Sequence, residues 1–370
     1  MDMRLDSEQQ MTRDLFTDFF ARECPSTMLR ELEEGHGHSA EVWHKLAALD
    51  GMALALPEDY DGLAGTFVDL ALLYEAMGRS LYPSPHLWTV VVAGELILRL
   101  GSQGKKAALL PKIAAGEMVI ALALAEKDSD DPTVVQTVAL RDANGFCLRG
   151  QKRFVEFAHV ADTLLTIARA EEGVTLFLVP VEGKGMAMYR QREISGGQFY
   201  QVDLDGVEVP ADAVLGSPGE GLEPLNDVLD RARVMLAARM LGGCQAVFDL
   251  TMRYAKEREQ FGQRVATFQS VAFRLAEMQT RIDGARLLLY QTAWQVDQEQ
   301  PIGSEAAMLK ALVSDLYRYV TGEAIQIHGG FGFTEEADPQ LYYRRATVDA
   351  VLLGSSSALR DRVADALGLL

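Results

Sequence analysis

The chain has 370 residues, 48% of them hydrophobic and 24% charged, which puts it in the globular range and requires two or three packed domains rather than one core. A formal net charge of -18 argues against a nucleic-acid backbone or an anionic membrane surface as partner, while an anionic small molecule could still be held by a local arginine cluster. Cys24, Cys147 and Cys244 are odd in number and far apart, the acidic N-terminus lacks the apolar core of a signal peptide, and no apolar run reaches membrane length. A soluble cytoplasmic protein of a reducing compartment is expected.

Residues 1–117 read as a helical domain. Ser7 and Gln10 have the spacing of a capping box, and Leu15, Phe16, Phe19 and Phe20 follow on one helical face. AEVWHKLAAL and FVDLALLYEAMGRSL repeat that period, with the loop LPEDYDGLAG between them. His36, His38 and His44 lie beside Glu33 and Glu34, but no familiar metal spacing is completed, so they read as a polar interhelix loop.

The pattern changes at residue 118. Over 118–222 short segments such as VIALALA, TLLTIARA, VTLFLVPV and YQVDLDGVEV are rich in β-branched and apolar residues. The dipeptides Asn144-Gly145, Glu172-Gly173 and Asp205-Gly206 read as hairpin turns, which predicts an antiparallel β domain. No βαβ alternation, GxGxxG or GxxxxGK[ST] occurs, so a Rossmann or P-loop nucleotide site is excluded on motif grounds.

Residues 223–370 are helical again, in segments near 223–259, 265–298, 303–329 and 339–367 that predict an antiparallel four-helix bundle. Two breaks carry chemistry. Phe261-Gly262 gathers Arg258, Gln260 and Gln269 at a helix end, and HGGFGF at 328–333 brings glycines and aromatics together. A cation with free backbone N–H groups suits a pyrophosphate, and aromatics suit a flat ring system. A third break, AVLLGSSS at 350–357, contains nothing that can take a proton.

KEREQFGQRVATFQSVAFRLAEM and QIHGGFGFTEEADPQLYYRRA resemble the two bundle signatures of the acyl-CoA dehydrogenase family, and the order helices, β domain, bundle is similar over essentially the whole chain. The resemblance implies a tetramer with FAD bound between subunits, acyl-CoA as substrate, electron-transfer flavoprotein as electron acceptor, and a place in β-oxidation of fatty acids or steroid side chains. It also implies that Arg258 holds the pyrophosphate of a neighbour's FAD, that Phe261 lies against the cofactor, and that Gln269, Gln326, Gly329 and Gly330 line its track. For the chain's own flavin ring the resemblance implies contacts at Ala125, Phe154, Glu156 and Ser355. Ala125 stands where the family has threonine before Glu126, Lys127 replaces a proline, and Phe154 and Glu156 replace the tryptophan and threonine that meet the ring.

For the substrate the resemblance implies Arg233, Leu353 and Gly354. The family removes an α-proton with a glutamate at one of two positions; here those are Leu353 and Ala232, and neither can act as a base. The pattern of losses resembles the base-lacking second subunit of heteromeric bacterial acyl-CoA dehydrogenases, which completes a partner's FAD site in trans. A homomeric enzyme with a displaced base is an alternative, with Asp349, Asp230 or Glu156 as candidates. Each reads first as a solvated or salt-bridged carboxylate, given Arg231, Arg344 and Arg345 nearby. A non-enzymatic acyl-CoA or partner-binding scaffold is a further alternative.

Overall fold

The first helix, α1 (Ser7–Glu23), is capped one residue earlier than the Ser7–Gln10 spacing suggests. In the computed structural model, which describes residues 4–369 except His36 and Asp128, the cap is Asp6. Its Oδ1 accepts the N–H groups of Glu8 and Gln9, each at 2.9 Å, while Gln9 Oε1 accepts the N–H of Asp6 at 3.1 Å. Phe16, Phe19 and Phe20 are buried as expected; Leu15 is exposed, because α1 buries a narrower stripe than the sequence suggests.

The chain divides into two compact units. One holds residues up to Glu31, Thr66–Tyr82 and Arg233 onward. Within it α4 (Phe67–Arg79) crosses α7 (Leu222–Glu257) at backbone contact. A Cβ on Gly78 would lie 1.7 Å from the Arg239 carbonyl oxygen, and one on Gly242 would lie 2.0 Å from that of Glu75. No larger residue fits either position. The long helices α8 (Gln269–Asp297) and α9 (Gly303–His328) follow. The expected fourth helix is two, α10 (Pro339–Asp349) and α11 (Ser356–Ala366), because 350–355 breaks it. Among the described residues the C-terminal helical domain thus has the expected long helices, with the last one split in two.

The other unit holds Leu32–Gly65 and Pro83–Ala232, including the β sheet. The strands are β1 (Ile120–Ala123), β2 (Val138–Arg141), β3 (Gly145–Glu156), β4 (Thr163–Ala170), β5 (Gly173–Pro180), β6 (Met186–Gln191), β7 (Phe199–Pro210) and β8 (Val214–Leu215). Their order is β6-β7-β3-β2-β4-β5-β8, with β1 paired to β4. The sheet is mixed, which corrects the purely antiparallel expectation: β1 runs parallel to β4, with Ile120 opposite Thr163 and Ala123 opposite Thr166. Thr89 stands in for a further strand on β1, its hydroxyl both donating to the Ile120 carbonyl (3.1 Å) and accepting from the Ile120 N–H (3.0 Å). Asp205-Gly206 makes no hairpin. It lies inside β7, where Leu148 pairs with Val207 and Arg149 with Asp205, leaving Gly206 at φ 74° as a bulge. Among the described residues no helix is long and apolar enough to cross a membrane.

Candidate functional site

The sequence-derived site residues fall into three groups. The first surrounds the ends of α7 and α9. Beyond Glu257 the chain forms a small hairpin of β9 (Glu259–Gln260) and β10 (Gln263–Arg264), where a simple helix break is expected from the sequence. Its two-residue tip has positive φ at both Phe261 (52°) and Gly262 (80°), as a type I′ turn requires. Phenylalanine is a costly residue there, yet the ring is 94% exposed and meets Phe268 only edge-on, at 6.3 Å between centroids. The two helix ends are tied together by Tyr254, whose ring stacks on His328 at 4.3 Å. Burial lowers the pKa of His328, whose Nδ1 lies 2.8 Å from the Ala324 carbonyl.

After His328 the backbone opens. A Cβ at Gly329 or Gly330 would meet nothing within 4 Å, whereas Gly332 packs back against Ile325 and His328. Phe331 and Phe333 are exposed. The side chains of Arg258, Gln269 and Gln326 are also exposed and have no partner among the described residues. An unpaired guanidinium, two free amides, open glycine backbone and uncovered aromatics are a donor set for a phosphate-bearing aromatic ligand.

The second group is the break after α10. Leu353 is buried with φ 58°, and Gly354 follows at φ 106°. Two cations hold this loop. Lys310 Nζ, fully buried on α9, donates to the carbonyls of Asp349 (3.0 Å), Ala350 (2.9 Å) and Gly354 (3.1 Å), and Arg233 Nε donates to the Leu353 carbonyl at 3.0 Å. The Leu353 N–H meets no acceptor among the described residues. Ser355 caps α11, its Oγ accepting the Ala358 N–H at 3.3 Å.

Asp349 is buried, and its carboxylate lies 2.8 Å from the Arg239 guanidinium. The void beside it is only about 10 Å³, the size of a water. The cation paired with it is Arg239, 110 residues away in sequence, and Arg345 lines the same void; Arg231 lies 3.7 Å from Glu95, and Arg344 Nε donates to Gln340. Ala232 and Asp230 are both buried in α7.

The third group lies in the sheet-bearing unit. Ala125 is half-buried, and its carbonyl accepts the Arg153 N–H at 2.8 Å. The Glu126 carboxylate accepts from the N–H of Gln136 (2.6 Å), the N–H of Thr137 (2.9 Å), the Thr137 hydroxyl (2.6 Å) and Lys152 Nζ (2.8 Å). Burial alone would raise its pKa; hydrogen bonds from Lys152 and Thr137 outweigh that and hold it below the ordinary value. Burial pushes fully enclosed Lys152 down to about 8, against the pull of Glu126.

Phe154 has φ 54° and is half-exposed, with the Arg153 guanidinium 5.2 Å from its ring centroid and its N–H donated to Gln191 Oε1 at 2.7 Å. Glu156 ends β3. It is buried and accepts the indole N–H of Trp88 at 2.8 Å. Trp88, Lys152, Lys310 and Arg239 all escape the reading from sequence. The one available signal was a lysine at 310 amid the apolar spacing of Ala306, Leu309, Val313 and Leu316.

Comparison with known proteins identifies the family. Three family models match in chain order: the acyl-CoA dehydrogenase N-terminal domain at residues 6–117, the middle domain at 121–207 and the C-terminal domain at 219–368. A probable acyl-CoA dehydrogenase of Bacillus subtilis, YngJ, is 28% identical over 97% of this chain and 98% of its own. Butyryl-CoA dehydrogenase from Megasphaera elsdenii superposes with a TM-score of 0.93 at 27% identity, covering 99% of this chain and 100% of that one. A chain of the ChsE4-ChsE5 complex from Mycobacterium tuberculosis does so with a TM-score of 0.92 at 25% identity, over 100% of both chains. The chain belongs to the acyl-CoA dehydrogenase family, FAD-dependent oxidoreductases that act on acyl-CoA.

Proposed function

We propose that this chain is the base-lacking subunit of a heteromeric acyl-CoA dehydrogenase and that it completes the FAD site of a related subunit in trans. The observation that carries the reading is a division among the family's positions. Those that would serve a neighbour's FAD are present and exposed: Arg258, Gln269 and Gln326, whose side chains have no partner among the described residues, and the open glycines Gly329 and Gly330. Those that would serve this chain's own chemistry are altered: both base positions are apolar (Leu353 and Ala232), and a carboxylate, Glu156, stands in place of the threonine hydroxyl. Random loss gives no reason for such a split. Asp349 is an unsuitable substitute base, since Arg239 neutralises it and the void beside it has no room for an acyl carbon.

The neighbour's half-site fits FAD. Arg258 would hold the pyrophosphate, Gln269 and Gln326 would supply amides, and Gly329 and Gly330 would let the backbone approach. When bound, FAD supplies the acceptor for the hydride that leaves the acyl β-carbon, and electron-transfer flavoprotein would be its oxidant. The half-site around Glu156 does not fit, because a carboxylate already engaged by the Trp88 indole N–H stands where the family presents a hydroxyl donor. At the loop after α10 the free N–H of Leu353, held in place by Arg233 and Lys310, retains the capacity to polarise a thioester carbonyl.

Assembly through the C-terminal helices follows from the same reading. Phe273, Leu287 and Trp294 are exposed at heptad spacing along α8, and Met308 and Leu312 are exposed on α9. The proposed domain divisions are 1–117, 118–222 and 223–370. The reading is tested by the flavin absorbance and light-scattering mass of the protein purified alone and co-expressed with a base-bearing family member. Alone it should be colourless and inactive, and together they should form a tetramer with one FAD per pair. A monomer, or robust turnover by the isolated protein that Asp349→Asn abolishes, would overturn it.

A further inference from the structure

Glu156 is a buried carboxylate that no step of the proposed function uses. The pairing of β3 with β7 slips between Lys152 and Val155, and both Phe154 and Phe157 have positive φ, at 54° and 59°. The slip leaves the Phe154 ring half-exposed and leaves Glu156 only 6% exposed. There Glu156 Oε2 accepts the Trp88 indole N–H at 2.8 Å. Trp88 belongs to a π-helical segment, Leu87–Gly94, in which all eight residues are buried. π-Helical turns are rare and concentrate where a helix is adapted to a local task.

The indole has a single donor and no acceptor, and Glu156 Oε2 meets that donor. If Glu156 Oε2 moved away, the only polar side-chain atom of Trp88 would lose this partner in the interior. We infer that Trp88 and Glu156 form a plug that keeps flavin out of this chain's own ring site, so that an assembled pair carries its flavin in the other subunit. The inference rests on the proposed function, through the placement of Glu156 at the family's flavin-facing threonine, and adds the device that enforces it. The hydride-accepting nitrogen of an oxidised flavin is itself an acceptor. Against Glu156 it would meet a carboxyl group hydrogen-bonded to Trp88, an acceptor like itself, whereas a threonine hydroxyl would donate to it.

The test uses the isolated protein in its own oligomeric state, with FAD as the probe. Flavin retained through gel filtration is measured at 450 nm, affinity by flavin fluorescence quenching, and folding by circular dichroism. Wild type should retain no flavin, and Trp88→Phe combined with Glu156→Thr should bind FAD at least tenfold more tightly, approaching one per chain. Glu156→Gln guards against a folding failure of the double variant. It keeps an acceptor for Trp88 while adding an N–H donor, and it too should bind FAD more tightly than wild type. Wild-type protein that holds one FAD per chain, or folded variants that bind no better than wild type, would overturn the plug. Neither result depends on a partner subunit. A failure of the trans reading would appear instead as flavin retention in the co-expressed pair that is indifferent to Arg258→Ala.

Discussion

The region around Arg258 and the region around Glu156 are built in opposite ways. In the first, a guanidinium and two amides lie exposed without partners, and strained backbone displays the Phe261 ring to solvent. In the second, these charged groups are paired internally: Glu126 has four donors, Lys152 donates to Glu126 and to the Leu124 carbonyl, and Glu156 accepts from Trp88. The fold recovers nothing from an unpaired cation and an uncovered aromatic, so such features persist for what binds them. A saturated network does the reverse: it stabilises its own interior and resists a ligand that would have to displace its bonds.

Catalysis offers the widest test of that contrast. The isolated protein should not oxidise acyl-CoA thioesters, because it retains no flavin; the missing general base would by itself cost about 10²–10⁴-fold against a base-bearing relative. Leu353→Glu restores a carboxylate at the break after α10, yet alone it should leave the isolated protein inactive, because the saturated side excludes flavin. Combined with Trp88→Phe and Glu156→Thr, it should give measurable turnover in an assay with an artificial electron acceptor. Equal activity of Leu353→Glu with and without the second change would erase the distinction between the two regions.

The Arg239–Asp349 pair sets the next largest effect. Asp349→Asn leaves a guanidinium buried without its counter-charge, which typically costs about 3–5 kcal/mol. A drop of several degrees in the thermal midpoint is therefore expected, with no specific change in rate. An unchanged midpoint with a selective rate loss would instead return Asp349 to the role of base.

The closed unit should also respond to acid. Burial lowers the pKa of His86 from 6.5 to about 4, and its Nε2 lies 3.1 Å from the Gly51 carbonyl. Between those values the unfolded chain binds a proton that the folded one refuses, so stability falls as the pH drops from 6.5 toward 4. The full effect of such a shift is roughly 3 kcal/mol. Lowered Glu126 acts in the same direction, at lower pH. His86→Gln removes the titration while keeping a donor for Gly51, and its midpoint should vary less with pH over this window. An identical slope in the two proteins would assign the acid sensitivity to other groups.

How much of this could be read from sequence depended on range. The order of helical, β and helical regions was legible because the hydrophobic period changes from 3.6 to 2 and back. The parallel pairing of β1 with β4 was not, because it joins strands some forty residues apart and no turn dipeptide marks it. Likewise Asp349 reads from sequence as a salt-bridged carboxylate, but its partner Arg239 lies 110 residues away and is chosen by how α7 and α10 pack rather than by adjacency. At the candidate site the residue types and family positions were legible, but their states were not. That Glu156 is spoken for while Arg258 is not depends on Trp88, whose contact lies 68 residues away and has no local signature.

The smallest expected effect is also the most direct probe of the open region. Arg258 has no partner within the described chain, so Arg258→Ala should leave the thermal midpoint of the isolated protein within the narrow range typical of exposed substitutions, about ±0.5 kcal/mol. In a complex with a base-bearing subunit the same change removes a charge-assisted bond to phosphate, worth about 1.5–3 kcal/mol, or roughly 10- to 150-fold in FAD affinity. Flavin lost on dialysis of the co-expressed pair, with the pair still intact by light scattering, would locate the defect in cofactor retention rather than in assembly. Arg258→Lys should recover only part of the loss, since an ammonium keeps the charge but not the planar fork that can grip two phosphate oxygens at once. Equal retention in wild type and Arg258→Ala would mean that the exposed guanidinium serves no flavin, and the contrast between the two regions would have to be explained without one.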